Sequence, residues 1–81
     1  MSGDYSMFVF PNPAREYLHV QFTKPVNGLL QLTDPAGEVL YTSELHMLSD
    51  AGINLSAFPQ GFYLLWWRDG IKVKCKKLVL R

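Results

Sequence analysis

The sequence predicts an all-β domain, a small Ig-like Greek-key β-sandwich built from about seven short antiparallel strands. Three observations lead to this fold class. In several segments apolar and polar residues alternate, as they do in strands with one buried face. Turn-forming residues recur about every 8–12 positions between these segments. No segment of more than a few residues has apolar side chains at the helical period of about 3.6, so we expect essentially no helix.

The composition allows one compact domain and excludes several classes of function. The chain has 81 residues, of which 48% are hydrophobic and 14% aromatic, so it can form one modest core. A net charge of +1 gives no field that would favour nucleic acid or an acidic membrane as the main partner. No apolar run reaches the roughly 18 residues of a membrane span, so we expect no direct membrane insertion. The polar start Met1–Asp4 does not have the pattern of a signal peptide.

The first part of the chain is predicted to form three strands. Met7–Phe10 is a short apolar run that ends at the two prolines of Pro11–Pro13, which exclude a helix and a central strand there. Glu16–Phe22 alternates strictly between polar and apolar residues, which predicts a half-buried strand. Lys24–Gly28 is predicted to be a turn that leads into a further strand, Leu29–Thr33.

A hairpin and a loop are predicted next. Asp34–Gly37 has Asp first, Pro second and Gly fourth, which is the pattern of a type I β-turn. Glu38–Glu44 is predicted to return as a strand that pairs with its predecessor. Leu45–Gly52 has a mixed composition and is predicted to be a loop that ends in a turn. Ile53–Leu55 is predicted to be a short strand.

The segment Phe58–Trp67 is predicted to hold the central strand. Pro59 fixes its own φ and Gly61 can adopt a positive φ, so Phe58–Gly61 is predicted to be a tight turn. The run Phe62–Trp67 that follows is entirely apolar or aromatic. Because neighbouring strand residues point to opposite faces, this run supplies apolar side chains to both sides of a sheet.

The last predicted strand is Ile71–Leu80, joined to the central strand by the hairpin signal Asp69-Gly70. Its first apolar positions alternate with lysines and are predicted to face the core: Ile71, Val73 and Cys75. In a regular strand, Leu78 and Leu80 would lie on the opposite face, because they occupy even positions. A β-bulge at Lys76–Lys77 is predicted to return them to the core.

Five landmarks occur in order along the chain: Phe10-Pro11-Asn12-Pro13, Tyr17-Leu18-His19-Val20, Asp34-Pro35-Ala36-Gly37-Glu38-Val39, Leu55 to Tyr63, and Lys76-Lys77-Leu78-Val79. In this order and spacing they resemble the type A C-terminal sorting domain of the type IX secretion system of Bacteroidetes. The resemblance covers Met7–Arg81, which leaves residues 1–6 as a linker or an expression remnant. Its motif residues, to which we assign structural roles, are Pro11, Asn12, Pro13, Asp34, Gly37, Pro59, Gly61 and Tyr63.

The resemblance also implies an orientation for the central strand. The family usually has a tyrosine where Tyr63 stands and apolar residues at Leu65 and Trp67, so these three side chains are expected to point inward. Trp66 then lies on the other face, where the family more often has a polar residue. We therefore expect a cover over Trp66, from the loop Leu45–Gly52, the parent protein or a partner, and we count Trp66 as a candidate surface contact.

Domains of this family act as export signals, and the resemblance implies the same role for this chain. The parent protein, N-terminal to the domain, would reach the periplasm through its own signal peptide. The outer-membrane translocon and a shuttle protein would then recognise the domain. A sortase-like peptidase would cut upstream of it and attach the cargo to surface lipopolysaccharide, or the cargo would be secreted. This role requires no catalytic residue and no cofactor in the domain itself.

The candidate recognition residues lie at the end of the chain: Lys72, Lys74, Lys76, Lys77, Leu78, Val79 and Arg81. Two interpretations of the basic residues remain open. Lysines on the outer face of a terminal strand can protect a sheet edge from aggregation. The same lysines can form a docking stripe for the secretion machinery or for anionic lipopolysaccharide.

The sequence contains no pattern of catalytic or metal-binding residues. His19 and His46 have no carboxylate or cysteine at metal-ligand spacing, so we interpret them as surface residues. Cys75 is interpreted as a small core residue rather than a nucleophile. We therefore predict that the domain is not an enzyme. The alternative function is an Ig-like binding or adhesion module whose Trp66 face contacts sugar or protein.

Overall fold

The computed structural model describes residues 6–81. In chain order its strands are β1 (Met7–Phe10), β2 (Tyr17–Thr33), β3 (Val39–Asn54), β4 (Gly61–Asp69) and β5 (Lys72–Leu80). The strands pair antiparallel, and no helix occurs in residues 6–81. This confirms the predicted all-β class. Apart from Ser6, the predicted linker at the start of the chain lies outside the described residues.

The strands are fewer and longer than predicted, because β2 and β3 each continue through a segment expected to be a turn or a loop. Lys24–Gly28 lies inside β2, and Leu45–Gly52 lies inside β3. The pairing of β2 with β3 shifts register between Gln21 and Val26 and again between Val26 and Gly28. Such bulges let two paired strands bend together without ending, and Pro25 falls in the interrupted part of the ladder.

The bend divides the sheet into two halves that share a core. In one half, β1 and the end of β3 flank the start of β2, while the other half contains the start of β3, the end of β2, and then β4 and β5. Phe22 of the first half contacts Trp67 of the second, with ring centroids 5.7 Å apart. The strand order β1-β2-β4-β5, with β3 also paired to β2, does not confirm a Greek-key Ig-like sandwich.

The inward face of β4 is the one that the family resemblance implies. Tyr63, Leu65 and Trp67 are buried, and the indole Nε1 of Trp67 donates to the backbone carbonyl of Asn27 at 2.9 Å. Phe62 on the opposite face is 56% exposed. A large aromatic residue is thus both packed and satisfied in its hydrogen bonding at the centre of the core.

The face of β5 is opposite to the prediction. Pairing with β4 runs without interruption from Gly61↔Leu80 to Asp69↔Lys72, so the predicted bulge is absent. The hairpin loop consists of Gly70 and Ile71, one residue later than the signal Asp69-Gly70 indicates. A shift of one residue turns every following side chain to the other face.

The consequences of this shift are visible along the whole of β5. Leu78 and Leu80 are buried, whereas Ile71 is fully exposed. Val73 and Cys75, predicted to be core residues, are also exposed. The three lysines at even positions therefore lie on the same face as Leu78 and Leu80, and not on the outer face that the sequence predicts. They are Lys72, Lys74 and Lys76.

Candidate functional site

The motif around Asn12 is held against the end of β5. The Asn12 side chain donates from Nδ2 to the Lys77 carbonyl at 3.1 Å, and its Oδ1 accepts from the Val79 N–H at 3.1 Å. One amide side chain therefore satisfies two backbone groups on the edge of the last strand. Pro11 and Pro13 flank it, and both peptide bonds that precede these prolines are cis.

Ala14 continues this pairing along the edge of β5. Its N–H donates to the Val79 carbonyl at 2.8 Å, and its carbonyl accepts from the Arg81 N–H at 2.8 Å. The bridge between Ala14 and Leu80 is parallel, and Ala14 is completely buried. The end of β5 is thus paired on both sides, with β4 on one and with the segment after β1 on the other.

The turn Asp34–Gly37 is confirmed and lies at the same end of the sheet. The Gly37 N–H donates to the Asp34 carbonyl at 2.9 Å, and the Asp34 carboxylate accepts from the Glu38 N–H at 2.8 Å. Gly37 has a φ of +95°, which a glycine adopts without strain. Pro35 of this turn lines a shallow apolar depression together with Phe62 and Lys77.

The hydrogen-bonded turn before β4 lies at Leu55–Phe58, where the Phe58 N–H donates to the Leu55 carbonyl at 3.0 Å, and thus earlier than the predicted tight turn Phe58–Gly61. The Tyr63 hydroxyl donates to the Pro59 carbonyl, and the Tyr63 ring packs against Phe58 with centroids 6.4 Å apart. Gly61, at the start of β4, pairs with Leu80 of β5. The motif residues from four separate parts of the chain therefore converge on one end of the sheet, around the last residues of β5.

The candidate recognition residues do not form one stripe. Lys77 lies on the outer face, where its Nζ is 4.6 Å from the centroid of the Phe62 ring. Leu78 is buried and Val79 is half-buried. Lys74 and Lys76 border a cleft on the other side of β5, next to β1. The structure thus divides these lysines between two faces of β5. The Arg81 backbone N–H donates a hydrogen bond to the Ala14 carbonyl.

Trp66 is covered by residues of its own sheet. Its Nε1 donates to the Thr33 Oγ1 at 2.9 Å, and the Arg68 guanidinium lies 5.0 Å from its ring centroid. Trp66 is half-buried as a result. These contacts explain how a tryptophan is accommodated on the outer face without the predicted loop, since Leu45–Gly52 belongs to β3.

The other candidate residues show no catalytic arrangement. His19 stacks on Phe10, with centroids 5.4 Å apart, and His46 lies 3.3 Å from the exposed carboxylate of Glu44. Within residues 6–81, no group of three or more His, Cys, Asp or Glu side chains could hold a metal ion. Partial burial raises the pKa of the Cys75 thiol, while Arg68 acts in the opposite direction. The same residues contain no helix long and apolar enough to cross a membrane.

Sequence reasoning missed the contact between Asn12 and the last strand, although both segments belong to its motifs. The two partners are 67 residues apart in the case of Val79, and nothing in the local sequence indicates pairing. The only available signal was the position of an amide residue between two prolines, which suits a backbone edge that needs a donor and an acceptor.

The chain matches a known protein family. A family model described as the secretion system C-terminal sorting domain matches residues 8–81, which is nearly the whole chain. The matched region includes all four motif segments that converge around the end of β5. No curated protein matches the chain.

Proposed function

The chain belongs to the family of type IX secretion system C-terminal sorting domains, and we propose that it directs its parent protein through the outer-membrane translocon of that system. The family is not an enzyme family, and its members are sorting signals that the type IX machinery recognises. Such a signal leads to the cell surface or to secretion. The parent protein would be the cargo, and this domain would be its sorting signal.

The observation that carries the proposal is the match of the family model to residues 8–81, and the closure of β5 by Asn12 and Ala14 supports it. This closure joins the family motif near residue 12 to Lys77–Arg81 through four hydrogen bonds of 2.8–3.1 Å. Because these hydrogen bonds fix the end of β5 to the rest of the domain, a receptor can bind this end as one folded surface. The signal would therefore be a shape that exists only in the folded domain.

The finer steps are part of the proposal. The cargo would cross the periplasm, the shuttle protein and the translocon would bind the domain, and a sortase-like peptidase would cleave upstream of it. The peptidase would then attach the cargo to lipopolysaccharide at the cell surface. All bond-breaking chemistry belongs to that peptidase, so the domain only has to be bound and presented.

We further propose that the recognition surface lies on and beside β5, with these residues: Lys72, Lys74, Lys76, Lys77, Leu78, Val79 and Arg81. The exposed cations Lys76 and Lys77 are accessible to a partner on opposite faces of the strand. Leu78 is completely buried and would act by fixing the strand in the core. A role in binding to sugar or protein through Trp66 is not favoured, because Thr33 already binds its N–H and Arg68 covers its ring.

A reporter fusion tests the proposal. A soluble reporter with a Sec signal peptide is placed before residues Tyr5–Arg81 and expressed in a bacterium that has the type IX system. We expect external protease to digest the reporter on intact cells, or the reporter to appear in the medium. A reporter that remains periplasmic, with the domain folded and soluble, would show that the proposed function is wrong.

A further inference from the structure

Within the part of the chain that the structure describes, a seam runs between β1 and β5 and is closed at one end. The segment after β1 runs parallel to the end of β5, as the bridge between Ala14 and Leu80 shows. Asn12 and Ala14 close the seam over Lys77–Arg81. Towards the other end of β5, Ser6, Met7 and Phe8 lie across a cleft of about 420 Å³ from Val73–Lys76.

The backbone of β5 directs hydrogen-bonding groups into this cleft. At the closed end, hydrogen bonds to Asn12 and Ala14 are made by backbone N–H or C=O groups of odd-numbered residues, namely Lys77, Val79 and Arg81. Backbone direction alternates along a strand, and the pairing of β4 with β5 has no register shift. The N–H and C=O groups of Val73 and Cys75 therefore also point into the seam, where no strand pairs with them among the described residues.

Within residues 6–81, β1 pairs only with β2, which leaves its other edge open on the side of the cleft. The Ser6 carbonyl accepts from the Thr23 N–H at 3.2 Å, so the even-numbered residues of this segment direct their backbone groups to β2. Met7 therefore directs its backbone groups away from β2, towards the seam. Two unpaired strand edges thus border one cleft, an arrangement that can accept an added strand.

We propose that the open half of the seam binds an extended, acidic segment of a partner protein as an added β-strand on β5. Backbone hydrogen bonds to Val73 and Cys75 would supply the affinity, and Lys74 and Lys76 at the cleft would select carboxylates. Among the residues that the structure describes, none that lines the cleft is acidic.

Charge also distinguishes this partner from a second copy of the chain. An antiparallel pair of two β5 strands would bring the lysines of one copy next to those of the other, and facing like charges destabilise a strand pair. The inference rests on the proposed function only in assigning the acidic segment to the export machinery.

Hydrogen exchange of the free 81-residue chain gives the first test. The amides of Val73 and Cys75 should exchange much faster than those of Lys74 and Lys76, which pair with β4. Equal protection of all four amides would mean that the seam is already closed, which would overturn the inference. Protection that increases with protein concentration would instead identify a second copy as the occupant and would also overturn it.

Two short capped peptides give the second test, one of alternating glutamate and threonine and one of alternating lysine and threonine. The acidic peptide should protect the Val73 and Cys75 amides, and the basic peptide should not. In the double variant Lys74→Glu/Lys76→Glu this preference should reverse. No protection by the acidic peptide, or equal protection by both, would overturn the inference.

A proline variant tests strand addition separately from charge. Cys75→Pro removes an N–H that points into the seam and is not needed for pairing with β4. We expect it to weaken binding of the acidic peptide roughly fivefold, the effect of one hydrogen bond, with an unchanged circular dichroism spectrum. Cys75→Ala keeps the N–H and should bind normally. Equal binding by both variants would contradict an added strand.

Export of the reporter fusion separates this inference from the proposed function. If the acidic peptide binds but the wild-type fusion is not exported, the proposed function fails and the strand-binding seam remains. If the wild-type fusion is exported and the folded Lys74→Glu/Lys76→Glu fusion is exported equally well, the seam has no part in recognition by the machinery.

Discussion

The Oδ1 of Asn12 accepts a hydrogen bond of 3.1 Å from the N–H of Val79, across 67 residues of sequence. This contact brings together the proline-flanked segment near the start of the described chain and the last strand. The same side chain donates to the Lys77 carbonyl, so its two hydrogen bonds span one edge of β5. The Asn12 amide therefore supplies two of the four hydrogen bonds that hold the end of β5, and the Ala14 backbone supplies the other two.

Replacement of Asn12 should loosen the end of β5. In Asn12→Ala both side-chain hydrogen bonds are lost, and we expect the free energy of unfolding in urea to fall by about 1–2 kcal/mol. The Val79 amide should then exchange faster with solvent. Asn12→Asp is the matched control, since a carboxylate can still accept from Val79 but cannot donate to Lys77. An unchanged Val79 exchange rate in Asn12→Ala would contradict the geometry.

The two adjacent tryptophans should differ strongly in their contribution to stability. Trp67 is 1% exposed, so Trp67→Ala should cost about 3–5 kcal/mol. Trp66→Ala should cost clearly less, because Trp66 is only half-buried on the outer face. Urea unfolding measures both values, and iodide quenching of the two single-tryptophan variants measures exposure. Stronger quenching of Trp67 than of Trp66 would reverse the assignment.

Two apolar positions test which side chains of the last hairpin face the core. Leu78 is completely buried, and Leu78→Ala should lower the free energy of unfolding by about 2–5 kcal/mol. Ile71 is 100% exposed in the hairpin loop, so Ile71→Ser should change it by less than about 0.5 kcal/mol. Comparable losses at the two positions would support the bulged strand that the sequence pattern predicts.

Gly28 should tolerate substitution less well than Gly37. Both have positive φ values, of +124° and +95°. A Cβ at Gly28 would lie 2.1 Å from the Arg68 carbonyl oxygen, whereas nothing lies within 4 Å of one at Gly37. We expect Gly37→Ala to cost about 1 kcal/mol from backbone strain and Gly28→Ala considerably more. Thermal unfolding of both variants checks this, and equal losses would show that the backbone approach at Gly28 is looser than described.

Local chemistry was sufficient to predict several elements of the fold. The turn Asp34–Gly37 follows from residues whose preferences act within four positions, and the structure has the expected hydrogen bond. The apolar run Phe62–Trp67 also predicts the central strand correctly, because its composition acts within the segment. Its inward side, with Trp67 in the core, follows instead from the family resemblance, since a run that is apolar on both faces does not show which face is buried.

Other features depend on pairing that the local sequence does not reveal. Lys24–Gly28 contains Pro and Gly and has the composition of a turn, but the pairing of β2 with β3 resumes within it, at Val26 and Gly28. In β5, alternation predicts two faces but not which one is buried, and a loop that begins one residue later reverses them. The contacts of Asn12, and with them the seam, require the three-dimensional arrangement.

The most direct test of the central claim is the location of the reporter fusion with and without the type IX translocon. In cells with the translocon, we predict that the reporter is digested by external protease or recovered from the medium. In otherwise identical cells that lack the translocon, the same folded fusion should be recovered from the periplasm. Equal amounts outside both strains, or none outside either, would contradict the assignment of this domain as a type IX sorting signal.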